Sequence, residues 1–275
     1  MRCAVIGLGV MGKNHYKILQ DMPAISSVVT VDSQEPATYN SVSDMLVAED
    51  DIDFAVVATP TISHKDVAIE LIKNKIHVLI EKPISNDIEN SKKILYLSTL
   101  NNVKVAVGHI ERFNPAIQNL LKQIEGQQVI NCNIIRIGPY PSRIKDVGVK
   151  LDLSVHDMDL LSFLTKEKII DSYCISSNIK GVNEDTVNFL CKMSNGCTGT
   201  IFNSWLSPHK KRNIEILTTE QYYNVDLMSH NLKGNALQLE LEEFIKYIQT
   251  GNIGFLCSPS EAINTLINIL WTQIT

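Results

Sequence analysis

The pattern Gly7-x-Gly9-x-x-Gly12 follows directly on an apolar run, Cys3 to Ile6, and opens a helical stretch, Lys13 to Met22. Three glycines at this spacing, between a strand and a helix, constrain the fold more than any other feature of the chain. Gly7 suits a tight turn, Gly9 a close approach of backbone to a pyrophosphate, and Gly12 close packing of helix on strand. Val10 and Met11 lie between these glycines, just ahead of a helix N-terminus whose free N–H groups and dipole favour phosphate. Asp32 ends the next apolar run, where a carboxylate accepts hydrogen bonds from adenosine ribose hydroxyls. Its charge opposes a 2′-phosphate and no arginine adjoins it, so the pattern predicts NAD rather than NADP. The competing reading is a turn that needs glycine and an aspartate that caps a helix, with no ligand.

The first half continues in the same grammar. Strands are expected over Ser27–Val31, Phe54–Ala58, His77–Ile80 and Lys104–Val107, with helices over His64–Lys73 and Ile88–Leu100. Strands apolar throughout and separated by helices imply a parallel sheet covered on both faces, a doubly wound α/β domain. After Pro115 long strand-like stretches dominate: Gln128–Ile137, Ile170–Ile179, Thr186–Met193, Thr198–Trp205 and Asn213–Val225. The Ser194-Asn195-Gly196 turn points to antiparallel hairpins. Helices are expected over Ala116–Ile124, Leu153–Leu164, Leu237–Tyr247 and Ser260–Trp271. Two domains follow, 1–115 and 116–275, the second α/β with a mainly antiparallel sheet. Between Asp32 and Asp44 the chain is very short.

Composition removes several classes of function. The net charge of −5 gives no basic excess for nucleic acid. No apolar run approaches the roughly 18 residues of a membrane span. The six cysteines show no C-x-x-C spacing, so no metal cluster or disulfide framework is expected, and reduced thiols in a cytoplasmic protein are the simpler reading. Cys191 and Cys197 flank a hairpin turn and could face each other across its strands.

Ligands of open α/β sheets bind outside the carboxyl ends of the strands. Thr59 and Pro60 end one strand, and His64 starts the following helix, either facing ligand or as a surface histidine. Glu81-Lys82-Pro83 ends another. A lysine there can hydrogen-bond a reacting hydroxyl and help move its proton; the bland reading is a solvated turn. In Leu151–Leu161, Asp152, His156 and Asp159 recur at i, i+4 and i+7 on an otherwise apolar helix. A carboxylate one turn from a histidine orients the imidazole or raises its pKa. A core histidine and a two-ligand metal site are the alternatives, the latter without a third ligand in view.

Together, "GLGVMGKNH", "ATPTISH", "EKP" and "DLSVHDMD" resemble the Gfo/Idh/MocA oxidoreductase family nearly end to end. The resemblance implies a Rossmann domain for the nicotinamide cofactor and a second domain with a large open sheet for substrate and oligomer contacts. It implies cofactor contacts from Glu81 and Lys82, acid/base catalysis by His156 with Asp152, and assistance from Lys82. "GHIERFNPA", "RIGPYPSRIKDVGVKLDLSVHD" and "NSWLSPHKKR" are similar to the branch that oxidises the 3-hydroxyl of UDP-N-acetylglucosamine. That implies substrate contacts from Arg112, Asn114, Arg143, Lys145, Asp152 and His156, a homodimer or homotetramer, and a separate aminotransferase acting on the ketone. Arg143, Lys145, Lys210, Lys211 and Arg212 carry charge suited to a diphosphate, or else form a solvated basic face. Oxidation of a free polyol or sugar, and a non-catalytic NAD-binding regulator, are the competing functions.

Overall fold

A computed structural model describes residues 1–141, 147–228 and 235–270. The backbone packs as two units, Met1–Ile110 with Asn235–Ile263, and Glu111–Gly234 with Asn264–Thr275.

In the first unit, β1 (Arg2–Ile6), β2 (Ser27–Val31), β3 (Phe54–Val57), β4 (His77–Glu81) and β5 (Val105–Gly108) form a parallel sheet in the order β2-β1-β3-β4-β5. The helices are α1 (Val10–Asp21), α2 (Val42–Ala48), α3 (His64–Lys73) and α4 (Ile88–Asn101). Every residue of β3 and β5 is buried, because helices cover both faces and no position can alternate toward water. No helix lies between Asp32 and Ser41. Instead the loop returns to the sheet edge. Tyr39 N–H donates to the Thr30 carbonyl at 3.0 Å, and Asp32 N–H to the Tyr39 carbonyl at 3.1 Å. This pairing occupies the edge groups of β2 that would otherwise be open. Ser41 then caps α2, its hydroxyl accepting from Asp44 N–H at 3.1 Å.

The second unit holds a six-stranded sheet. Its strands are β6 (Val129–Ile137), β7 (Ile169–Ser177), β8 (Thr186–Met193), β9 (Thr198–Ser204), β10 (Lys211–Thr218) and β11 (Tyr222–Asp226), in the order β11-β10-β6-β9-β8-β7. Only the β6–β9 pair is parallel. α5 (Pro115–Gln123) and α6 (Val155–Thr165) supply core residues against one face, including Ile117, Leu120, Met158 and Leu161. One expected strand, Asn213–Val225, is two. The break carries no glycine or proline; the Thr218 hydroxyl makes the turn by accepting from Glu220 N–H at 3.2 Å and Gln221 N–H at 2.9 Å.

The chain ends in α7 (Ala236–Thr250) and α8 (Pro259–Leu270). The segment Asn235–Ile263, which the sequence pattern placed with the second domain, packs with the first. α7 buries Leu237, Leu241, Phe244 and Ile245, with Phe244 edge-on to Phe54 of β3 at 5.7 Å.

Candidate active site

The three glycines of the first turn do separate jobs. Gly7 has φ +91°, and a Cβ there would stand 2.7 Å from the Thr59 nitrogen. A Cβ on Gly12 would stand 1.8 Å from the Gly7 carbonyl oxygen, so helix and strand approach as closely as they do only because it is absent. Gly9 differs: nothing lies within 4 Å of where its Cβ would be. It lines a pocket of about 570 Å³ together with Gly7, Asp32, Thr59 and Pro60. Gly9 is also the N-cap of α1 and brings no capping side chain, and Val10 beside it is exposed. An open cradle beside uncapped helix N–H groups is what a pyrophosphate requires.

Asp32 stands at the end of β2 and lines the same pocket. One carboxylate oxygen accepts from Leu8 N–H at 2.6 Å, the other from Gln34 N–H at 2.7 Å and Glu35 N–H at 2.9 Å. Burial opposes its ionisation, but the three N–H groups and the Lys13 charge prevail and hold its pKa below the ordinary carboxylate value. The group is therefore a fixed anion. The oxygen that accepts only from Leu8 still has lone-pair capacity for a ribose hydroxyl.

His64 is not the surface histidine of the second reading. It is buried, with Nδ1 2.9 Å from the Pro83 carbonyl oxygen and Nε2 2.9 Å from the Thr59 carbonyl oxygen. Burial lowers its pKa, against the two carbonyl contacts and the Glu81 charge, which act to raise it. The Glu81 carboxylate likewise turns inward, to His15 Nε2 at 2.7 Å. His15 is wholly buried on α1 and was missed in the sequence, although Gly12, His15 and Leu19 share the sheet-facing side of that helix. Lys82 is half-buried at the carboxyl end of β4, joined to Pro83 by a cis peptide bond.

In the second unit, the helix expected to carry Asp152 and His156 begins with a π turn, Lys150–Ser154, before α6. Asp152 lies in the wider turn and His156 in the first turn of α6, so they do not share the regular α-helical stripe that the spacing predicts. Both are half-buried. Asp159, the third member, is buried and bound by Arg112 through Nε at 2.8 Å and Nη2 at 2.7 Å. Arg112 also stacks on Phe163, 4.7 Å from the ring centroid. Arg112 was expected to touch substrate; its guanidinium is instead buried on Asp159. Asn114, also an expected substrate contact, caps α5, its side-chain oxygen accepting from Ala116 N–H at 3.0 Å.

The residues around His156 are anchored to the sheet. Asp157 accepts from Arg136 Nε at 2.8 Å and from Asn203 Nδ2 at 2.6 Å, and the Ser154 hydroxyl donates to Asn203 Oδ1 at 2.5 Å. Arg136 Nη1 donates to Glu111 at 2.8 Å, and Arg212 Nη1 to the same oxygen at 3.1 Å. Asn203, Arg136 and Arg212 are direct neighbours across β9, β6 and β10. Burial opposes the charge on Glu111, yet Arg136 and then Arg212 hold its carboxyl below the ordinary carboxylate value. Arg212 is thus partly engaged, while Lys210 and Lys211 are exposed. Arg143 and Lys145 lie outside the described residues.

Known proteins match this chain along most of its length. Residues 1–109 match the model described as an oxidoreductase family with an NAD-binding Rossmann fold, and residues 135–224 match the Gfo/Idh/MocA C-terminal domain. UDP-N-acetylglucosamine 3-dehydrogenase from Acidithiobacillus ferrooxidans is 27% identical over 84% of this chain and 76% of its own. A solved structure of that enzyme superposes with a TM-score of 0.89 at 26% identity, covering 99% of this chain and 96% of its own. The NAD⁺-linked scyllo-inositol 2-dehydrogenase of Bacillus subtilis is 24% identical over 99% of this chain and 93% of its own. The cradle at Gly9, the anion at Asp32 and these matches converge: the chain belongs to the Gfo/Idh/MocA family of oxidoreductases acting on CH–OH groups, with NAD as the cofactor of its Rossmann unit.

Proposed function

We propose that the protein oxidises the C3 hydroxyl of UDP-N-acetylglucosamine to the 3-keto sugar nucleotide. The similarity to the Acidithiobacillus enzyme, which extends over both units, carries this reading. NAD supplies the hydride acceptor. Gly9 and the first turn of α1 hold its pyrophosphate, Asp32 its adenosine ribose, and Thr59 and Pro60 line the same pocket. His156 accepts the hydroxyl proton, Asp152 orients the imidazole, and Lys82 polarises the reacting oxygen. Exposed Lys210 and Lys211, with Arg143 and Lys145, neutralise the diphosphate and so fix which carbon reacts. An aminotransferase consumes the ketone, drawing an unfavourable oxidation forward.

The inositol dehydrogenase similarity favours a second reading, oxidation of a free polyol. The two separate in one assay. Enzyme and NAD are offered UDP-N-acetylglucosamine, other UDP-sugars and inositols, and reduced nicotinamide is followed by absorbance. Turnover confined to UDP-sugars supports the first reading, and turnover confined to inositols replaces it with the second. Binding of UDP alone, by calorimetry, belongs only to the first.

A further inference from the structure

Lys82 lies between two residues that are each gripped by a buried histidine. On one side His15 Nε2 meets the Glu81 carboxylate at 2.7 Å; on the other His64 Nδ1 meets the Pro83 carbonyl oxygen at 2.9 Å. Burying an imidazole is costly unless its polar atoms are used; His64 uses both ring nitrogens and His15 uses Nε2. Neither histidine belongs to the turn that it grips. His15 is on α1, three residues beyond Gly12, and His64 opens α3, where its Nε2 also meets the Thr59 carbonyl oxygen. The backbone supports the same arrangement: Glu81 pairs with Gly108 of β5, where a Cβ would stand 3.4 Å from the Glu81 carboxylate.

We propose that His15 and His64 are positioning residues for Lys82, each tying a neighbour of the lysine to a segment that lines the NAD pocket. This rests on the role given to Lys82 above. α1 begins at the Gly9 cradle, and Thr59 and Pro60 line the pocket beside it. The lysine reaches its target through a long flexible side chain, so its aim is no better than the fixity of its own backbone. His15 and His64 supply that fixity from two directions. His15 does so through a charge-assisted bond to an anion adjacent to the lysine. His64 does so by holding the carbonyl that follows it. The seat of the cofactor and the aim of the lysine therefore become one mechanical unit.

The test reads Lys82 directly. Reductive ¹³C-methylation makes each lysine visible by NMR, and the Lys82 signal is identified by its loss in Lys82→Arg. Its titration midpoint, the NAD dissociation constant and kcat are compared in His15→Leu, His15→Gln and His64→Leu. In the two leucine variants the midpoint should shift and kcat should fall roughly tenfold to a hundredfold, the scale of a misplaced catalytic group, with NAD affinity changed less than about threefold. His15→Gln keeps a donor toward Glu81 and should recover most of kcat. If His15→Leu does not fold, His15→Asn takes its place, since the shorter amide loses reach, and should remain impaired where His15→Gln recovers. An unmoved midpoint with kcat within about twofold of native overturns the proposal. So does a His15→Gln variant as impaired as the shorter or apolar one. Lys82→Ala with undiminished kcat overturns the role of Lys82 itself, a result distinct from either.

Discussion

Asp32 is the residue on which the proposed preference for NAD turns. Three backbone N–H groups keep it charged, and it lines the pocket beside Gly9. The protein should bind NAD more tightly than NADP, and Asp32→Ser should narrow the difference, as measured by titration of both. Equal affinities in the native protein would contradict the assignment. At the proposed proton-handling groups, His156→Ala and Lys82→Ala should each lower kcat by roughly two to four orders of magnitude while leaving NAD affinity nearly intact. Near-native turnover in both variants would remove them from the mechanism. Some of this was legible before the structure: the glycines and Asp32 follow from spacing because strand, turn and helix leave them one geometry. His15 was not, because a histidine on an amphipathic helix carries no mark of the carboxylate it meets 66 residues later. Arg112 and Asn114 show the opposite case. An arginine and an asparagine beside a strand end look like ligand groups, and only the fold reveals Asp159 and the α5 N-terminus as their partners.

At the scale of elements, the Rossmann strands were readable as continuous apolar runs, since each is buried on both faces. α2 was not, being seven residues long and signalled only by its Ser41–Asp44 cap. The π turn before α6 had no sequence signal at all, because apolar spacing does not distinguish a widened turn from a regular one. α6 itself is fastened by charges in the core. Arg136→Met would leave Asp157 and Glu111 without their buried cation, and should cost about 3–5 kcal/mol of stability, measured by denaturant unfolding. A loss no larger than that of a typical surface substitution would show that the network is dispensable. In the first unit, β4 carries a different liability. His77 Nδ1 accepts from Lys104 N–H at 3.0 Å, a bond that protonation removes. Burial, then the Lys104 charge, lowers the His77 pKa below its ordinary 6.5. Burial lowers that of His64 in the same direction. Below pH 6.5 the unfolded chain therefore binds more protons than the folded one, so stability should fall as pH drops from 6.5 through the two folded values, and level off above. Asp32 and Glu111 have lowered values, so their contribution should disappear separately, at pH below their ordinary 3.8 and 4.5. Thermal melts across this range check both windows; melting temperatures unchanged between pH 7 and 5 would contradict the first.

For the whole molecule, the six-stranded sheet covers one face with its own helices and leaves Tyr173, Ile175, Leu190 and Leu217 exposed on strands of the other. A sheet face with that much apolar surface is expected to meet a second copy, so a dimer or tetramer should sediment at micromolar concentration, and a monomer would contradict this. No described helix is long and apolar enough to cross a membrane. The chemistry is tested most directly by isotope transfer. UDP-N-acetylglucosamine carrying deuterium at C3 is incubated with enzyme and NAD, alongside an aminotransferase and amino donor to remove the ketone. Deuterium should appear in the reduced nicotinamide and be lost from the sugar, both read by mass spectrometry. Reduced nicotinamide that forms without deuterium while C3 keeps its label would contradict oxidation at C3.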